Sequence, residues 1–157
     1  MKWKAIVSVG AMAVLTGCHA TPEEVGVKAT KRETLGRHET VAEFQGVSEH
    51  TCRGMTALCP DRCGHSGRMA TFEIIEYIQF DKLSEYGKKQ ETFSFLLEDN
   101  LKNMKVDQTI YDAVVQLVDG DRVFLSWNHD YVTKNGASGP ERPIIKLEKM
   151  NDQPGKE

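Results

Sequence analysis

The sequence predicts a small, mainly β domain with one helix, its five strands rolled into a barrel. Three observations predict it. Apolar residues between Val41 and Leu147 recur mostly with period two, the spacing of a half-buried strand. One stretch alone, Ile110, Ala113, Val114 and Leu117, steps at i, i+3, i+4 and i+7, the spacing of a helix face. Short segments rich in Gly, Asp, Asn and Pro punctuate these runs and leave room for little more than turns.

The elements follow in order. Val41, Phe44 and Val47 mark a loose first strand. Ala70 to Phe80 is the clearest strand, with Phe72, Ile74, Ile78 and Phe80 expected on the buried face and Thr71, Glu73, Tyr77 and Gln79 opposite. Asp81 to Lys89 turns the chain, and Phe93, Phe95 and Leu97 alternate along the return. Asp107 stands where a helix N-cap is needed, and Asp119-Gly120-Asp121 ends the helix. Val123, Leu125 and Trp127 resume the alternation. Lys134 to Pro143, with Asn135-Gly136, Gly139 and two prolines, reads as a loop, and Ile145 and Leu147 as the last strand. Three strands, a helix and two strands resemble the OB-type barrel. The alternative from the same pattern is an α+β sheet with one covering helix.

The chain of 157 residues is one domain's worth. Lys2 and Lys4 precede the apolar run Ala5 to Leu15, a positive segment and short apolar segment of the kind that directs export and is too short to span a bilayer. The following Leu15-Thr16-Gly17-Cys18 resembles the lipobox of bacterial lipoproteins. That resemblance implies a signal peptide over residues 1–17, cleavage before Cys18, and a mature chain held to a membrane by lipid, palmitate included, on Cys18. It also implies, from His19 rather than Asp after the lipidated cysteine, an outer-membrane address with the domain facing the periplasm. In a cell with a single membrane, the same signal implies that membrane's outer leaflet. Residues 18–37 are polar and aperiodic and read as a flexible tether, residues 38–150 as the single folded domain, and residues 151–157 as a disordered tail. Loss of Lys2 and Lys4 leaves 18 basic against 23 acidic residues, a net charge of −5, which gives no electrostatic reason to bind nucleic acid.

Chemistry concentrates in one stretch, His50-Thr-Cys52-Arg-Gly-Met-Thr-Ala-Leu-Cys59-Pro60-Asp61-Arg62-Cys63-Gly64-His65, which holds every cysteine besides Cys18. Three readings compete. A disulfide from Cys52 to Cys59 or Cys63 would staple the loop, with one thiol left over, as suits an oxidising compartment. A metal site would use Cys59 and Cys63, one helical turn apart behind Pro60, with His65 swinging back across Gly64 and Cys52 or His50 completing the set. Thiolate and imidazole together suit Cu(I) or Zn(II). A redox pair, Cys59 and Cys63, would exchange electrons with a partner. Cys59-Pro60-Asp61-Arg62-Cys63 is also similar to the Cys-Pro-Asp-x-Cys copper motif of Sco-type copper chaperones. That resemblance implies Cys59 and Cys63 as copper thiolates, with His129 as the distant third ligand. In a folded chain the two sulfurs of Cys59 and Cys63 should then lie within about 6 Å of each other and of an imidazole nitrogen.

No nucleophile elbow, phosphate-binding loop or dinucleotide fingerprint occurs. His129 and Asp130, neighbours on a strand, point to opposite faces and make a poor acid–base pair. The sequence therefore points to a lipid-anchored binding or envelope-accessory protein rather than an enzyme, with a stapled or metal-binding loop. The competing class is a periplasmic thiol-redox or copper-handling protein. A protein partner is not specified.

Overall fold

The computed structural model describes residues 30–54 and 56–150. The expected signal segment, Cys18 as the expected lipid site, most of the expected tether and the tail over 151–157 lie outside the described residues. The chain is mainly β with one helix, as expected. β1 (Lys31–His50), β2 (Gly67–Lys82), β3 (Thr92–Asp99), α1 (Gln108–Val115), β4 (Arg122–Lys134), β5 (Ala137–Glu141) and β6 (Ile144–Lys149) follow in sequence.

All six strands join one antiparallel sheet in the order β3-β2-β1-β4-β5, with β6 beside β5 along the same edge of β4. The sheet is open, and the expected five-stranded barrel is not closed. β1 is 20 residues long and pairs with β2 on one side and β4 on the other, which puts it at the centre of the sheet. The two edges, β3 on one side and β5 with β6 on the other, do not hydrogen-bond to each other. Helix α1 instead covers the inner face, laying Ile110 and Val114 into the core formed by Phe44, Phe72, Phe93, Leu97, Val123, Leu125, Trp127 and Leu147. This is the single sheet with a covering helix that the sequence pattern offered as its alternative.

Four local expectations are corrected. β1 begins at Lys31, so Lys31 to Arg37 belong to the sheet and not to a tether ending at residue 37. Val132, Tyr131 and Asp130 of β4 pair with Arg32, Glu33 and Thr34 and give this polar stretch its ladder. The segment after Asn135-Gly136 returns as β5 rather than as a loop: Asn135 (φ 53°) and Gly136 (φ 83°) make the two-residue left-handed turn that joins antiparallel strands. Pro140 is tolerated because β5 is an edge. Asp107 holds the N-cap position with extended backbone but makes no side-chain cap bond.

The fourth correction concerns β2. Its pairing with β1 steps from Glu39↔Gln79 to Thr40↔Tyr77, and from Val41↔Glu76 to Ala42↔Ile74, so Ile78 and Ile75 are each an extra residue on the β2 side. Each such bulge reverses the in–out phase of the strand. The inward residues become Phe72, Ile74, Tyr77 and Phe80, opposite Phe44, Ala42, Thr40 and His38. Tyr77 is half-buried against the core, whereas Ile78 is 55% exposed, the reverse of strict alternation.

Candidate metal centre

The loop joining β1 to β2, residues 51–66, leaves the sheet at its long central strand and folds as a series of turns. Arg62 N–H reaches back to the Leu58 carbonyl (2.9 Å), and Cys59 N–H to the Thr56 carbonyl (3.1 Å). The expected helical turn carrying Cys59 and Cys63 behind Pro60 does not form; these turns replace it, and the Cys59–Pro60 peptide is cis. Among the described residues of the loop little apolar material is buried: Leu58 is 52% exposed, and Cys52 is the one buried hydrophobic. Polar clamps do more. Ser66, itself buried, accepts the Cys52 N–H (3.0 Å) and donates to the Pro60 carbonyl (2.8 Å), tying the two arms together. Asn100, in the turn after β3, donates its side-chain N–H groups to the carbonyls of Pro60 and Asp61. Its backbone N–H bonds the Ser66 carbonyl (2.8 Å).

The return into β2 needs two glycines. Gly64 (φ +69°) passes beside Asp99 and Lys105, and a Cβ there would stand 3.4 Å from an Asp99 carboxylate oxygen. Gly67 (φ +144°) is packed so closely on β3 that a Cβ would lie 2.2 Å from the Glu98 carbonyl oxygen. Asp99, buried at the end of β3, is ion-paired with Lys105 (2.8 Å) and accepts N–H groups from Leu101 and Asn103. These partners, Lys105 foremost, hold its carboxyl well below the usual carboxylate range. The ion pair fixes the floor on which Gly64 rests.

This frame brings Cys52, Cys59, Cys63 and His65 together: one ligand atom from each, three sulfurs and an imidazole nitrogen, all lie within 4.8 Å of one another. The expected convergence of Cys59, Cys63 and His65 is therefore present, and the fourth member is Cys52 rather than His50. The Cys52 and Cys59 sulfurs are 3.1 Å apart, well beyond the ~2.05 Å of a disulfide. In a tetrahedral zinc site with bonds of about 2.3 Å, sulfur–sulfur edges come to roughly 3.8 Å, so side-chain shifts of under about 1 Å would meet it.

The Cys59 sulfur also takes the Thr56 backbone N–H (3.3 Å) and lies 3.5 Å from the Thr56 hydroxyl. The Thr56 hydroxyl first, then Cys52 and Cys63, lower the Cys59 thiol to about 6, against desolvation. Near neutrality this sulfur is a thiolate, the form that binds metal. Cys52 is buried, Cys59 and Cys63 are half-buried, and His65 is exposed.

His129 does not belong to this group. It pairs with Gly36 near the start of β1, whereas the cysteine loop leaves from the other end at His50. Most of a 20-residue strand separates them, a span of roughly 45 Å if straight. The long central strand thus rules out the distant third ligand implied by the copper-chaperone resemblance. His129 instead lines a cleft of about 680 Å³ with Glu33, Leu35, Ser84, Tyr86, Tyr131 and Pro140, and burial together with Arg142 lowers its pKa. Its neighbour Asp130 faces away and pairs with Arg32, as alternation requires.

Thr56, Ser66 and Asn100 are supporting residues that the sequence pattern did not single out. Thr56 lies inside the cysteine stretch and Ser66 directly follows it, where a hydroxyl among ligands is a usable signal. Asn100 comes from a distant turn and carried none. Comparison of the chain with protein families, curated proteins and solved structures finds no match.

Proposed function

We propose that this is a metal-binding lipoprotein of the cell envelope, taking one zinc(II) ion, or copper(I) as the nearest competitor, on Cys52, Cys59, Cys63 and His65. The observation that carries the reading is the approach of three sulfurs and one imidazole nitrogen to within 4.8 Å in a loop whose described residues bury almost no apolar side chain. Three cysteines cannot pair among themselves without a remainder, whereas three thiolates and a neutral imidazole complete a tetrahedral zinc shell. Copper(I) is equally fond of thiolates, but the fourth donor favours zinc. Four protein donors leave no open coordination position, so the site suits holding, sensing or handing on a metal rather than activating water for hydrolysis. The same ion would knit together the ends of β1 and β2.

The lipobox-like Leu15-Thr16-Gly17-Cys18 supports an anchor through lipid on Cys18, with the domain on the periplasmic side of an outer membrane. The net negative charge gives no ground for a nucleic-acid partner.

The test is cobalt(II) substitution and metal analysis of the full chain in detergent. One zinc per chain is expected, with a tetrahedral, thiolate-rich cobalt spectrum lost in Cys63→Ser and weakened in His65→Ala. His129→Ala should leave both unchanged. Sub-stoichiometric metal and an octahedral cobalt spectrum would refute the reading, and tighter binding of copper(I) than of zinc would shift it to the competitor.

A further inference from the structure

We propose that Cys52 and Cys59 are a site of reversible oxidation, and that closing a disulfide between them discharges the metal from the cluster. The inference rests on the metal-binding reading above and adds a regulation to it. The pair is selected by geometry. Their sulfurs are already in contact at 3.1 Å, and about 1 Å of further approach makes the bond. Cys63 Sγ lies within 4.8 Å of both but donates to the Pro60 carbonyl at 3.6 Å. The backbone on both sides is held, Cys52 N–H by Ser66 and Cys59 N–H by Thr56, so the approach needs side-chain rotation and little else. A cleft of about 610 Å³ lined by Glu49, His50, Thr51, Cys52 and Arg53 reaches the Cys52 side, and Cys59 is the more exposed of the two.

The oxidant is a peroxide, and the step balances with hydrogen peroxide. The Cys59 thiolate attacks one peroxide oxygen, the O–O bond breaks, and the departing hydroxide takes a proton to become water. The Cys52 thiolate then attacks the Cys59 sulfenic sulfur, forms the S–S bond and expels the second oxygen, which leaves as water after protonation. Two thiolates have lost two electrons, and one peroxide with four protons' worth of hydrogen in its products has become two waters, two of those protons drawn from solution. Cys63 and His65 remain, two donors where zinc holds four, and the ion leaves. A dithiol reductant returns the two electrons and restores the site.

The experiment uses the full chain carrying Cys18→Ser in detergent, loaded with zinc and titrated with hydrogen peroxide. Zinc content is measured before oxidation, zinc release with a chromogenic chelator, and thiols by colorimetric count. Trypsin cleavage after Arg53 and after Arg62 puts the three cysteines on separate peptides, so the pairing is read directly by mass. The expected result is two thiols lost per zinc released, the peptide ending at Arg53 linked to Gly54–Arg62, and recovery of thiols and zinc binding with dithiothreitol. In metal-free protein Cys59→Ser should slow peroxide-driven thiol loss at least about tenfold, while Cys63→Ser should still form the same link. A link to Cys63, release by overoxidation without any link, or a link formed with zinc retained would each overturn the proposal. A chain that holds no zinc before peroxide is added defeats the metal reading instead, and the peptide map then reports separately whether Cys52 and Cys59 pair.

Discussion

Replacing His38 by Phe should remove a pH-dependent weakness from the centre of the sheet. His38 is 1% exposed, stacked on Trp127 (ring centroids 4.4 Å, planes 13° apart) and tilted against Phe80. Its Nδ1 meets the Tyr77 hydroxyl at a long 3.4 Å, and its Nε2 has no partner. Burial first, then the nearby His129 and Arg142, lower its pKa from 6.5 to about 4. The imidazole is therefore buried neutral, while the unfolded chain takes up a proton near pH 6.5. The unfolded state binds more protons in that window, so stability falls as pH drops from about 6.5 to about 4. A shift of this size corresponds to about 3 kcal/mol across the window. The Phe ring fills the same slot and has nothing to protonate. The Tyr77 hydroxyl keeps its bonds to the N–H and carbonyl of Gln90. Urea unfolding of metal-free protein at pH 7 and at pH 4.5, wild type beside His38→Phe, reads the difference directly. The wild type should lose about 2–3 kcal/mol more than the variant between those values. Asp99 and Asp121, whose pKa values are lowered by Lys105 and Lys149, lose their contributions only at still lower pH and are common to both proteins. Parallel losses in the two proteins would sink the argument.

Three further outcomes are expected. Ile74→Ala should destabilise by about 2 kcal/mol and Ile78→Ala by under about 1 kcal/mol, because the bulge puts the second outside; equal losses in denaturant titration would mean the bulged register is wrong. Gly67→Ala drives a Cβ to 2.2 Å from the Glu98 carbonyl at a positive φ, and should lower stability by at least about 2 kcal/mol; a thermal midpoint unchanged from wild type would refute that close approach. Cys18→Ser should abolish labelled-palmitate incorporation and leave an uncleaved precursor, and unchanged palmitate labelling would end the lipoprotein reading.

Much of the inner face was legible from alternation alone. Phe93, Phe95 and Leu97, and Val123, Leu125 and Trp127, sit on the core face as period two requires, and Ile110 and Val114 are the helix's buried pair. The helix ends at Val115, short of Leu117 and of Asp119-Gly120-Asp121, whose Gly120 takes a positive φ in the turn before β4 and bonds its N–H to the Phe44 carbonyl. β5 was half legible, since Asn135-Gly136 is a strong two-residue hairpin signal. Two prolines and a glycine behind it masked a strand that only an edge position can accommodate.

The residue types and their crowding determined by themselves that this chain is mainly β with one helix, and that its distinctive chemistry lies between Cys52 and His65. Those properties are local: side-chain periodicity, turn chemistry and ligand density are all written within a dozen residues. What only the tertiary structure decided depends on partners far apart in sequence. Pairing with β4 made a strand of the polar Lys31 to Arg37, and two bulges against β1 put Tyr77 rather than Ile78 inside. Helix α1 covered the inner face, and the two sheet edges stayed apart. The length of β1 carried His129 to the opposite end from the cysteines, while Cys52, across the loop, came to complete their number. Backbone hydrogen bonds must be satisfied wherever a strand lies buried, and the strand that satisfies them can come from anywhere in the chain.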